Sequence, residues 1–353
     1  MKRFVFLPLN RLIASLFFML FFNVSLLQAQ SVRLIYFYPT DHAAPNQQKM
    51  AECGKIAREA QSFYRQEMLD NGFGEKTFEL EGIGDSITFY SVRGSRDTQH
   101  YATNRWEQII TEISDAKSEI NLILVEGLEV ITNTAVAMMA RSCSGNKCTT
   151  DQHTFYAIVP LKTEEPVVGA AHELGHTFGL QHNRENASLM VGRRSIEGKH
   201  PKIASMHLRK NEMRWLDKHK YFNNDSSAND PPVVRKIWET KWEDEDQKGI
   251  TLRIDIESNY ELHQAQLMFD GTVIDSDALM GLSDNVYFHF TKYQFGSQRV
   301  DMQFIDTDGN IRYVDNVGIK EPEEVSREYV TLREKSSNHN MVVVGWASMK
   351  GGN

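Results

Sequence analysis

The stretch "HELGHTFGLQHN", from His172 to Asn183, decides how the rest of the chain is read. On a helix, residues four apart share a face with about 5–6 Å between their Cβ atoms, so His172 and His176 can reach one ion. Glu173 is turned about 100° from His172, which sets its carboxylate beside such an ion, where it can take a proton from a bound water. Val167, Ala171, Leu174 and Phe178 recur on the opposite face, which therefore packs on a core. The next turn of the same helix cannot bring a third ligand into good geometry. Gly179 supplies the break, because glycine adopts the left-handed conformation that ends a helix and turns the chain back. Leu180 and Gln181 then carry His182 round to the same point. Three imidazoles in tetrahedral arrangement with one position left for water describe a catalytic zinc site, so one catalytic Zn2+ is the expected cofactor.

These residues carry a family resemblance. "HELGHTFGLQH" resembles the HExxHxxGxxH signature of the metzincin zinc endopeptidases, covering ligands, base and turn glycine. The resemblance implies zinc ligands at His172, His176 and His182, a general base at Glu173 and a turn at Gly179. It also implies a methionine turn below the metal. In "ENASLMVG", Met190 follows His182 at a short separation similar to that of the matrixins. The implied fold is an α/β (α+β) catalytic domain with a twisted mixed sheet, with "TAVAMMAR" as the edge strand over the cleft and "SMHLRKNEMRWLDKHKYF" as its last helix. The implied activity is peptide-bond hydrolysis in a protein or peptide substrate. Asn183 is none of the residues that mark the astacin, adamalysin, serralysin or matrixin branches, and no Tyr follows Met190, so no branch is assigned.

The organisation around the motif fits two domains. The chain has 353 residues, enough for two cores. Residues 1–29 join Lys2, Arg3 and Arg11 to an apolar run and a small residue at Ala29, the pattern of a secretory signal peptide. The apolar run is shorter than the roughly 20 residues of a spanning helix. Export to a secreted or periplasmic location is expected, with no integral membrane segment after cleavage. Residues 31–224 alternate strand and helix patterns: "SVRLIYFYP" as a strand, a helix from Asn46 to about Leu69 closed by Asn71-Gly72, strands at "KTFELE" and "SITFYSV", a helix over "NRWEQIITEISDAK", then the buried strand "INLILVEG". A polar, Pro-ended linker covers 225–232. From 233 to 320 the texture is alternating strands with Asp270-Gly271 and Asp308-Gly309 at hairpin positions, and an all-β, Ig-like sandwich is expected. Residues 321–353 form a charged tail with a terminal strand, unassigned.

The remaining signals are weaker. Cys143 and Cys148 bracket "SGNK", and in an oxidising compartment a bridge between them is plausible. Cys53 is then left over, within a predicted helix; the sequence leaves open whether it is buried and inert, the favoured reading, or paired with one of the other two. "DTDGN" lacks the glycine and glutamate of a calcium loop and reads as a hairpin turn. A formal net charge of −8 argues against a general nucleic-acid binder. The rival to an enzyme is a secreted binding or adhesion protein whose sandwich recognises a carbohydrate or protein surface, with a weakly active or inactive zinc domain. Retention of Glu173 argues against it.

Overall fold

In the computed structural model the β-branched and aromatic run from Ser31 forms strand β1 (Ser31–Tyr38), inside the first of two large sheets. The described residues are 30–102, 106–113, 119–129, 136–144, 147–185, 187–191, 202–223, 234–241, 249–269, 271–291, 300–314 and 330–331. Helix α1 (Gln47–Asp70) starts where the Asn46 side chain accepts a hydrogen bond from the Lys49 amide, and it stops at Asn71, before Gly72 at φ +84°. The short strands β2 (Glu79–Leu80), β3 (Gly82–Ile83) and β4 (Ser86–Ile87) precede β5 (Phe89–Arg93). Then come α2 (Thr98–Tyr101), α3 (Trp106–Glu112), β6 (Ile120–Glu129), β7 (Val136–Ser144), β8 (Lys147–Lys162), α4 (Pro166–Thr177) and α5 (Lys210–Lys218).

The first sheet runs β2-β1-β6-β8-β7, with β5 also on β1; β1, β5, β6 and β8 are parallel, and β7 closes the edge antiparallel to β8. Alternation explains how it is covered. Val32, Leu34 and Tyr36 join Leu122, Leu124, Ala157 and Val159 in a core shared with α1 and α4. Ile35 and Phe37 point the other way and pack with Ile123, Val125, Tyr101, Trp106 and Ile109. Both faces are therefore dry, as a parallel sheet requires. Residues 136–141 of "TAVAMMAR" lie on the edge strand, and residues 134–135 lie outside the described set. The sheet mixes parallel and antiparallel pairs, as an α+β domain does.

Two helices differ from expectation. "SMHLRKNEMRWLDKHKYF" is helical only over α5, because His207 is tied instead to the methionine turn: its amide donates to Ala187 O at 3.0 Å and its carbonyl accepts from Leu189 N at 2.8 Å. Glu212 then closes the helix start by accepting from the Arg209 amide at 2.8 Å. Of "NRWEQIITEISDAK", Trp106–Glu112 is helical, and residues 104–105 and 114–117 lie outside the described set.

The second sheet comprises β9 (Val234–Lys241), β10 (Gly249–Phe269), β11 (Thr272–Thr291), β12 (Val300–Asp306), β13 (Ile311–Val314) and β14 (Val330–Thr331). β11 pairs along the whole of β10, whereas β9 pairs with residues 251–258 of β10 and β12 with residues 262–269. Register shifts between Glu257 and Leu262 mark the change of partner. The described strands of this half are thus joined in one hydrogen-bonded sheet with a register irregularity in β10, where two separate facing sheets were expected. The Asp308-Gly309 turn is as read: Gly309 has φ +84°, and Asp306 Oδ1 accepts from the amides of Asp308 and Asn310. Residues 1–29, expected to be a signal peptide, residues 225–232, expected to be a linker, and most of residues 321–353 lie outside the described residues. Among those described, no helix is long and apolar enough to cross a membrane.

This sheet meets the first half directly. Gln264 Nε2 donates to Asn211 O at 3.0 Å, His263 Nε2 to Arg214 O at 3.2 Å, and Ile305 joins the core of the first sheet.

Candidate active site

Helix α4 carries the motif from Pro166, whose missing amide hydrogen is harmless in a first turn, to Thr177. Its end is a Schellman turn: Gly179 N donates to His176 O and Leu180 N to Gly175 O, each at 2.9 Å, with Gly179 at φ +83°. The reversal expected from Gly179 is present, and it brings His182 back to the helix.

His172, His176 and His182 offer ligand nitrogens that all lie within 4.8 Å of one another. His172 Nδ1 faces Leu189 O at 2.6 Å and His176 Nδ1 faces Leu180 O at 2.7 Å. A carbonyl oxygen only accepts, so both Nδ1 atoms carry the proton and both Nε2 atoms present bare lone pairs. Those lone pairs meet His182 Nε2 at 3.2 Å and 3.1 Å. Bonds of about 2.0–2.1 Å at tetrahedral angles separate ligand nitrogens by about 3.3 Å, so the donor set fits a zinc ion. Burial holds all three imidazoles in the neutral, ligating form. It pushes His176 well below its ordinary value, lowers His172, and with the neighbouring imidazole takes His182 down to about 3. Glu173 is buried beside them.

Met190 lies directly beneath the helix. A Cβ on Gly175 would come within 2.6 Å of its sulfur and 2.9 Å of the Tyr64 hydroxyl, so the glycine inside "HELGH" is where turn and helix touch. Tyr64 also donates to Ala171 O at 2.7 Å, linking α1 to α4 from within the core. Ala187 opens the methionine turn with φ +64°, the only positive φ outside glycine among the described residues. The turn in effect positions the first histidine through Leu189 O.

Asn183 is a clamp. Its Nδ2 donates to Ser188 Oγ at 2.7 Å and to Glu212 Oε1 at 2.6 Å, its Oδ1 accepts from Glu185 N, and its amide donates to Met190 O at 2.8 Å. It thereby ties the loop that carries His182, the turn at Met190 and α5 together. Burial raises the carboxyl of Glu212, and its bonds to Arg209 and Asn183 oppose that rise.

Backbone register sets Cys143 opposite Cys148 across the β7–β8 hairpin. Cys53 is buried and free, its thiol pushed up to about 12 chiefly by burial. Sequence reasoning missed the Leu189 carbonyl, Gly175, Asn183 as a clamp, and the glutamines of the second sheet. A helical glycine was a usable signal, since it costs about 1 kcal/mol relative to alanine and marks close approach. Gln266 and Gln303, inside apolar runs, were another.

No protein-family model matches the chain, and no curated protein matches it. Solved structures do. Wild-type OgpA from Akkermansia muciniphila superposes with a TM-score of 0.53 at 16% identity, over 81% of this chain and 91% of that one. Catalytically inactive OgpA in complex with an O-glycopeptide (glycodrosocin) substrate gives 0.54 at 16% identity, over 81% and 92%. The likeness spans both sheets, and what this chain shares with OgpA is its fold.

Proposed function

We propose that this chain is a secreted zinc-dependent endopeptidase of metzincin type, with residues 31–224 as the catalytic domain and the all-β part from 233 to 320 as a second domain. The observation that carries the reading is the meeting of three neutral imidazole nitrogens at 3.1–3.2 Å with a buried carboxylate on the same helix. His172, His176 and His182 would hold the ion. When bound there, zinc supplies Lewis acidity, lowering the pKa of a water toward about 7 and polarising a carbonyl. Glu173 takes the proton of the attacking water and passes it to the leaving amine, so the peptide bond is hydrolysed without a covalent enzyme intermediate. Met190 and Gly179 set the floor and the turn of the site. Edge strand β7 offers main-chain groups to an extended peptide, which favours binding indifferent to most side chains.

The substrate bound by OgpA makes O-glycosylated peptides the first class to test. Paired peptides with and without a single O-linked sugar, incubated with the zinc-loaded chain and followed by mass spectrometry, decide it. We expect cleavage by the native chain and at least a hundredfold loss in Glu173→Ala with zinc still bound at one per chain. Absence of cleavage across glycosylated and plain peptide libraries by the metal-loaded native chain rules the peptidase reading out.

A further inference from the structure

His182 belongs to no helix or long strand, so its position depends on what holds the loop from Gly179 to His182. One side is held by the Schellman turn of α4. The other side is held from the second sheet, far along the chain. Gln303 Nε2 on β12 donates to Gly179 O at 2.7 Å, and Gln181 Nε2 reaches Gln303 Oε1 at 3.4 Å. The amide of Val273 on β11 donates to His182 O at 2.7 Å. Gln303 Nε2 also donates at 2.7 Å to Gln266 Oε1, and Gln266 is its register partner on β10. Gln303 is 2% exposed and Gln266 1%.

Two amides buried opposite each other in a sheet are costly unless bonded. The bonds described for them go to each other and to the loop from Gly179 to His182. We infer that Gln303 is a positioning residue for the metal site: the second sheet holds the loop so that His182 Nε2 faces the other two imidazoles before the ion arrives. The inference rests on the reading of the three histidines as a metal site. It gives the second half of the chain a role in the chemistry of the first, without contact to substrate.

The test uses the full chain with Gln303→Leu, which removes all three of its side-chain hydrogen bonds at similar volume. Phe288→Leu is the control, since Phe288 is fully buried in the same sheet. Zinc affinity is measured by chelator competition, and the cobalt-loaded forms are compared by their visible absorption, which reports ligand geometry. Partners of metal ligands typically govern 10–100-fold in affinity. We expect a loss in that range and an altered cobalt spectrum for Gln303→Leu, with Phe288→Leu binding metal as the native chain does. Should Gln303→Leu fail to fold, Gln303→Asn, which keeps the amide but falls one methylene short, replaces it and is expected to lose severalfold. Native affinity and spectrum in the Gln303 variant, or an equal loss in Phe288→Leu, overturn the inference. A native chain that binds neither metal overturns the metal reading beneath it.

Discussion

Replacing Gly179 by alanine tests the feature on which the three-histidine site depends. At φ +83° an L-residue is strained by about 1–2 kcal/mol. The added methyl would also stand 2.7 Å from Ile311 Cδ1, 3.1 Å from Trp215 Nε1 and 3.3 Å from Trp215 Cζ2. The end of the Ile311 side chain can rotate away. Trp215 cannot yield so easily, because it is fully buried and donates Nε1–H to Phe178 O at 3.0 Å. Overpacking of this kind costs about 1–3 kcal/mol, so the total is roughly 2–5 kcal/mol, a large share of the 5–15 kcal/mol that typically stabilises a domain. Urea unfolding in the presence of a chelator isolates the folding cost from metal binding, and zinc competition on the folded variant reads the displacement of His182. A loss below about 0.5 kcal/mol, or the gain that Gly→Ala brings within a helix, would refute the claim that a left-handed turn ends α4.

The other expectations concern groups around the site. Asn183→Ala removes one donor each from the buried Glu212 carboxylate and Ser188 hydroxyl, which keep only their bonds from Arg209 and from the Met190 amide; a cost of roughly 1.5–3 kcal/mol is expected in unfolding experiments, and a native-like midpoint would show that Asn183 is no clamp. His219 is buried against Phe178 and Phe222, and burial first, then Lys220, lowers its pKa to about 3. The unfolded imidazole binds its proton below about 6.5 and the folded one only near 3, so the stabilisation is complete above pH 6.5 and is lost as pH falls toward 3. The difference in unfolding free energy between the native chain and His219→Phe, measured in chelator, should therefore shift by a few kcal/mol across that window; a pH-independent difference contradicts it. Cys53 should resist a thiol reagent at neutral pH in the folded chain. Unfolded without reductant, one thiol per chain should react if Cys143 and Cys148 are bridged, and three if they are not.

Much of the site was legible because its determinants are local. The i, i+4 histidines, the turn glycine and Met190 all fall within one short run, where helix geometry alone dictates which groups meet. The caps of α1 at Asn46 and Asn71 were readable for the same reason. Reading failed where a competing partner lay elsewhere in the chain. "SMHLRK" has helical composition, yet His207 bonds to Ala187 and Leu189 and holds that segment extended. Alternation in "GITLRIDIES" and its neighbours announced strands correctly, but pairing is not written in alternation. β10 takes β9 along its first half and β12 along its second, and so joins one sheet.

The sequence by itself determined the local arrangement: which histidines share a helix face, which carboxylate stands beside them, and where the helix must end, since each follows from rise, rotation and φ over a few consecutive residues. The tertiary structure alone decided what holds that chemistry in place. Leu189 O orients His172, Asn183 binds its loop to Glu212, and Gln303 and Val273 anchor the His182 segment from the second sheet. A hydrogen bond between residues far apart in the chain leaves no periodic trace in either segment, so only the folded packing brings such partners into view.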